Sequence, residues 1–149
     1  MKAINEMEIT FKAISINESF ARACIAAFCV QANPSVDEIT DIKTAVSEAV
    51  TNAVVHAYPL GDGDINIKVK LYTNGVVIDI SDNGIGISDF EKAREPFYTT
   101  KPDEERSGMG FTVMESFMDS ITLKKNGKAG LVVRMEKVFK NQEQDAVGI

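Results

Sequence analysis

Glu48, Asn52 and His56 recur every four residues, so in a helix all three project from nearly the same face. Ala49, Val50 and Ala53 continue an apolar stripe beside them, which makes the polar row the flank of a buried face. The row sets a carboxylate and an amide, both groups able to bind or to act on a ligand, one turn apart on that flank. Taken alone, a solvated helix face accounts for the same row. Further on, Asp82-Asn83-Gly84-Ile85-Gly86 places an acid and two glycines where a strand ends. Glycine there permits close backbone approach to a ligand, or simply makes an Asn-Gly turn. Ser107-Gly108-Met109-Gly110 precedes a helix, so its free amides suit an anionic phosphate or cap the helix.

Other chemistries are poorly supplied. His56 is the single histidine, and Cys24 and Cys29 are the only cysteines, so no zinc-type ligand set can be assembled. Any metal here must bind oxygen. Five residues of helix separate the cysteine side chains by about 140° around the axis, which excludes a mutual disulfide and leaves two small core residues in a reducing compartment. His56 reads as a structural residue at the end of its helix or at the rim of a site.

The elements that must position these residues follow from periodicity and turn signals. Met7, Ile9, Phe11 and Ala13 alternate with polar residues as an N-terminal strand. Asn17 reads as the N-cap of a first helix whose apolar positions, Phe20, Cys24, Ala27 and Phe28, recur until Asn33-Pro34. Ser35 and Glu38 form a capping-box pattern at the start of a longer helix, with Ile39, Ile42, Val46, Ala49, Val50 and Ala53 as its buried stripe to about Ala57. Ile65, Ile67, Val69 and Leu71 alternate as a strand, Asn74-Gly75 signals a hairpin, and Val76 to Ser81 return. Residues 88–110 have little apolar periodicity and read as a mobile lid. A short helix from Phe111 to Met118 follows, then a hairpin from Ile121 and Leu123 through Asn126-Gly127 to Leu131, Val133 and Met135. The order β-α-α-β-β-lid-α-β-β predicts an α/β fold: a two-layer sandwich with helices packed on one face of a mixed, mostly antiparallel sheet. Residues 1–140 read as a single domain and 141–149 as a polar tail.

Composition bounds the function. With 149 residues and 44% apolar content the chain buries one core and is too short for a multidomain enzyme. A net charge of −6 disfavours nucleic acid and anionic lipid, so a protein partner is expected. The longest apolar run, Ala23 to Val30, is far short of a membrane span, and Met1 to Glu8 lack the apolar core of a signal peptide. A cytoplasmic location is expected.

In order, a helical Glu-x-x-x-Asn, a strand-end Asp-x-Gly-x-Gly, a charged lid and a Gly-x-Gly opening a helix match one family. Over residues 39–118 the chain resembles the GHKL ATPase and kinase superfamily of gyrase, Hsp90, histidine kinases and MutL. Ser47-Glu48-Ala49-Val50-Thr51-Asn52-Ala53, Pro96-Phe97-Tyr98-Thr99-Thr100-Lys101-Pro102 and Arg106-Ser107-Gly108-Met109-Gly110-Phe111 are similar to the anti-sigma F factors of spore-forming bacteria, serine kinases of that superfamily. The resemblance implies ATP/ADP and Mg²⁺ as cofactors, Asn52 as the Mg²⁺ ligand, Glu48 as the catalytic base and Asp82 as the acceptor for the adenine amine. It further implies that Gly84 and Gly86 pass close to the nucleotide. Thr99, Thr100, Lys101, Arg106, Ser107, Gly108 and Gly110 would surround its phosphates. No Gly-x-x-x-x-Gly-Lys-Ser/Thr loop and no His-Arg-Asp or Asp-Phe-Gly motif is present, which excludes the P-loop and eukaryote-like kinase folds.

What the resemblance implies biologically is a homodimeric, ATP-dependent protein serine/threonine kinase that is also an anti-sigma factor. Such a protein binds a sigma factor, here sigma F, and phosphorylates a serine on an anti-anti-sigma antagonist, inactivating it. Two alternatives share these motifs: a related stress-response anti-sigma B type kinase, and a non-catalytic module whose ATP stabilises a sigma complex. Arg22, the one charge inside an otherwise apolar stretch of the first helix, is a candidate partner contact or an ordinary solvated arginine.

Overall fold

Ser35 sets the start of the longest helix among the described residues. In the computed structural model its side chain accepts the Glu38 N–H at 3.1 Å while the Glu38 carboxylate accepts the Ser35 N–H at 2.8 Å, a reciprocal capping box. The structure describes residues 2–58, 61–86, 110–127 and 129–140. Among these, β1 (Asn5–Lys12) leads to α1 (Asn17–Cys29), a 3₁₀ turn (Val30–Ala32) and α2 (Val36–Asn52). A π turn (Ala53–Ala57) ends α2 before β2 (Asp64–Tyr72) and β3 (Gly75–Asp82). The chain then enters α3 (Gly110–Phe117), β4 (Ser120–Lys125) and β5 (Leu131–Val138).

The sheet order is β1-β2-β3-β5-β4 and every pairing is antiparallel. The fold class is the expected α/β sandwich, and its sheet has no parallel pair among the described strands. β3 and β4 run in the same direction, but β5 inserts between them and pairs with both, so the connection through α3 creates no parallel ladder.

The period-two patterns bury one face. Ile65, Ile67, Val69 and Leu71 of β2 and Val76, Ile78 and Ile80 of β3 are all buried, and they share one core with Ile25, Ile42, Val46, Val50 and Met114 from the helices. The opposite face holds polar pairs such as Arg134 and Asp79, joined by two contacts of 2.8 Å. At the α3 end, the Lys137 ammonium bonds the Phe117 carbonyl at 2.6 Å and the Asp41 carboxylate at 3.0 Å, tying the last turn of α3 to α2.

Three local expectations are corrected. Asn17 is not the N-cap: Ile16 occupies that position with no side-chain cap bond, and the Asn17 amide instead donates to the Lys12 carbonyl at 2.9 Å. The helical pattern to Asn33 divides, with α1 ending at Cys29 and the 3₁₀ turn closing on Asn33 in the left-handed region, φ 56°. The first hairpin turns on Thr73-Asn74, because Tyr72 pairs with Gly75, which opens β3. A Cβ at Gly75 would lie 2.5 Å from the Lys137 carbonyl oxygen, so this glycine is used for close strand packing. Both cysteines are free, as their spacing requires, and burial pushes the Cys29 thiol up to about 12.

Candidate functional site

Glu48 and Asn52 sit half-buried on the last turns of α2, where the apolar stripe of Ala45, Val46, Ala49 and Val50 holds the helix on the sheet. The α-helix stops at Asn52, and the following π turn is wider, so the every-fourth-residue row does not extend to His56. His56 is half-buried in that turn.

The π turn delivers Ala57 to the exit of β3. The Ala57 carbonyl accepts the Ile85 N–H at 2.9 Å, and a Cβ at Gly84 would overlap that same carbonyl. Gly84 is therefore glycine because two backbone segments meet there. A Cβ at Gly86, φ 73°, would lie 2.9 Å from the Gly130 carbonyl oxygen. The π turn after α2 and the Gly84-Ile85 backbone are thus in direct contact.

Asp82 is the buried acid of this junction, 6% exposed. Burial pushes its carboxyl above the ordinary carboxylate range, partly opposed by the N–H groups of Gly84 and Leu131, which favour the charged form. The Gly84 N–H donates to Oδ1 at 2.9 Å. Leu131 is the cross-strand partner of Asp82, which explains how its amide reaches the carboxylate. The turn thus combines a buried acceptor fixed at the end of a strand with a backbone that has no room for a Cβ, features that suit close approach of a flat ligand bearing a hydrogen-bond donor. No cluster of three or more His, Cys, Asp or Glu suited to a metal occurs among the described residues; Asn52 offers an amide oxygen, the kind of ligand that could share Mg²⁺ with phosphate and water oxygens.

Glu48 also lines a groove of about 380 Å³ between α1 and α2, with Arg22, Thr40, Lys43, Thr44 and Ser47. Arg22 is part of its wall: its Nη1 reaches Glu18 Oε1 at 3.1 Å and Ser47 Oγ at 3.4 Å. The structure joins Gly84 and Ile85 to Ala57 beyond the end of α2 and sets Gly86 against Gly130, while Glu48 lines the α1–α2 groove and Asn52 ends α2. Gly110 is the first residue of α3. Thr99, Thr100, Lys101, Arg106, Ser107 and Gly108 lie outside the described residues.

Sequence patterns missed the residues that brace this junction. The Tyr58 hydroxyl donates to the Asp64 carbonyl at 2.6 Å and accepts the Asn83 N–H at 2.8 Å. Tyr58 stands before a proline and Asn126-Gly127 is a turn pattern, and neither local signal points to residues 82–84.

The model of the histidine kinase-like ATPase domain family matches residues 14–137. The anti-sigma F factor of Bacillus velezensis is 52% identical over 134 residues, covering 89% of this chain and 92% of that protein. The chain belongs to the histidine kinase-like ATPase family, on its anti-sigma F factor branch. The anti-sigma F factor of Clostridium botulinum is similarly 52% identical over 136 residues, covering 91% of this chain and 95% of its own, and that of Bacillus subtilis is 50% identical over 134 residues, covering 89% and 92%. Among solved structures, the RsbU and RsbW domains of a Mycobacterium tuberculosis protein match with a TM-score of 0.65 at 19% identity, over 90% of this chain and 32% of that one. The catalytic domain of the histidine kinase ThkA matches with a TM-score of 0.57 at 17% identity, over 91% and 98% of the two chains. At these identities the structural likeness shows the fold: the ATPase-domain sandwich. No described helix is long and apolar enough to cross a membrane.

Proposed function

We propose that this histidine kinase-like ATPase domain is an ATP-dependent protein serine kinase and an anti-sigma factor directed at sigma F. Its substrate is a serine on an anti-anti-sigma protein. The observation behind this reading is the α2–β3 junction, where a carboxylate and an amide one turn apart end α2 and the π turn that follows docks through Ala57 on the turn bearing a buried acid. In this reading Asp82 accepts from the adenine amine, which selects ATP over GTP, while Gly84 and Gly86 let the backbone pass beside the ring. Asn52 holds Mg²⁺, which when bound offsets the charge of the β- and γ-phosphates. Thr99, Thr100, Lys101, Arg106, Ser107, Gly108 and Gly110 are the proposed phosphate contacts.

Glu48 accepts the proton of the serine hydroxyl as its oxygen attacks the γ-phosphorus, the bond to the ADP oxygen breaks, and ADP leaves. The groove that Glu48 lines with Arg22 and Ser47 is the approach for the protein acceptor. The names of the relatives at 50–52% identity support sigma F over a stress-response sigma factor. A homodimer in the cytoplasm completes the proposal.

The test mixes the protein, Mg²⁺, γ-labelled ATP and the anti-anti-sigma protein of the same organism. Acid-stable label on the antagonist, reduced at least a hundredfold in rate by Glu48→Gln with ADP affinity within about threefold, is expected; a lost base costs about 10² to 10⁴ in rate. ADP binding without any transfer would overturn the kinase and favour the binding module. Transfer that persists in Glu48→Gln would overturn the role of Glu48.

A further inference from the structure

Asn126 lies between β4 and β5, yet its side chain serves a different part of the chain. Its Nδ2 donates to the main-chain carbonyl of Asp82 at 2.8 Å and to Oδ1 of Asn83 at 3.1 Å, across separations of 44 and 43 residues. An asparagine that only shaped its own turn would bond within that turn. Gly130 brings the rest of the loop against the same point: its φ is 88°, and a Cβ there would overlap the Asp82 carbonyl oxygen. Leu131, the next residue, donates its N–H to the Asp82 carboxylate.

The opposite side of the turn is held by Tyr58, whose hydroxyl accepts the Asn83 N–H at 2.8 Å and is itself anchored on the Asp64 carbonyl at 2.6 Å. The Asp82-Asn83-Gly84 turn is therefore gripped from both flanks, by the segment after α2 and by the β4–β5 loop. An acceptor that must meet a ligand amine at one distance and angle gains from such support, because a fixed backbone leaves its carboxylate little freedom to rock away.

We propose that Asn126 is a positioning residue for the nucleotide base: by holding the Asp82 carbonyl and the Asn83 side chain it keeps the Asp82 carboxylate aimed at the adenine amine. The proposal rests on the reading of Asp82 as the adenine acceptor. It extends the site to the β4–β5 loop, which no pattern in the sequence assigns to it.

The test compares ADP with IDP, which carries a carbonyl where ADP has the amine, by titration calorimetry in Mg²⁺ on wild type, Asn126→Ala and Asn126→Ser. Wild type is expected to prefer ADP. Asn126→Ala is expected to weaken ADP about tenfold and IDP no more than twofold, narrowing the preference at least about fivefold, with Asn126→Ser, which keeps one donor, between wild type and Asn126→Ala. Tyr58→Phe, which removes the grip from the other flank, should narrow the preference in the same direction and serves if the Asn126 variants do not melt cooperatively. An unchanged ADP-to-IDP ratio in these variants, or equal losses for both nucleotides, overturns the positioning role while leaving the proposed function intact. A wild type that binds both equally overturns the assignment of Asp82, and one that binds neither overturns the nucleotide function itself.

Discussion

Gly84→Ala tests whether the contact between the end of α2 and the β3 exit is as tight as the geometry requires. A Cβ at this position would lie 2.5 Å from the Ala57 carbonyl carbon and 2.7 Å from its Cβ, where ordinary contact begins at 3.4 Å. One backbone must therefore retreat by at least the difference, about 0.9 Å, since the Ala57 carbonyl oxygen lies nearer still. That movement stretches the 2.9 Å bond from the Ile85 N–H to the Ala57 carbonyl beyond bonding range. Losing the bond costs about 1 kcal/mol and the forced fit about 2 kcal/mol more, so a total near 3 kcal/mol is expected. In a chain of this size that is roughly a 10 °C fall in melting temperature. Urea unfolding without nucleotide measures the first quantity, and ADP titration should show at least a tenfold loss, because the turn bearing Asp82 or the helix bearing Asn52 has moved. Gly61→Ala is the control: its φ of 85° strains alanine by about 1 kcal/mol, but nothing lies within 4 Å, so ADP affinity should be unchanged. Stability of Gly84→Ala within 0.5 kcal/mol of wild type would refute the reasoning.

Two further predictions concern groups whose protonation is set by the fold. Burial raises the Glu38 carboxyl, but the N–H groups of Ser35 and Lys140, the Ser35 hydroxyl and the Lys137 ammonium outweigh it and hold the group below its ordinary value. Its stabilisation is therefore present above pH of about 4.3 and lost as pH falls through the folded value. Glu38→Gln, which turns one acceptor toward an N–H as a donor, should cost about 2 kcal/mol at neutral pH, with the gap closing in acid; a gap independent of pH in urea titrations would contradict this. For Cys29, with its thiol near 12 in the fold, the unfolded chain ionises first, so stability falls as pH rises above 9.0. Iodoacetamide at mildly alkaline pH should label the half-buried Cys24 and reach Cys29 only at the rate of unfolding, as read by peptide mass spectrometry.

Much of this protein is local in origin. The capping box at Ser35, the alternation in β2 and β3 and the apolar stripe of α2 each rest on residues a few positions apart, so their geometry is decided by the helical and strand periods alone. Glu48 and Asn52 could be placed on one face for the same reason, and Asp82-x-Gly-x-Gly at a strand end because the alternation stops there. Asn17 failed as a cap, since its amide had a competing acceptor at Lys12 that no helix-start rule contains.

Distance along the chain marks where such reasoning stops. A register of pairs cannot be read from periodicity, so the insertion of β5 between β3 and β4 belongs to the tertiary structure, and with it the Leu131 amide on Asp82. The π turn after Asn52 likewise has no composition that announces it; it is settled by the docking of Ala57 on Ile85 and Gly84. Asn126 is the clearest case. Alone it is a turn residue, whereas in the folded chain its two bonds fall on residues 82 and 83, because packing the sheet brings the β4–β5 loop to the end of β3. Residue types and local periods suffice to nominate candidate residues and the elements that bear them; which backbone holds Asp82 and Asn83 in place is a matter of the folded chain, since those contacts close across dozens of residues and leave no local period.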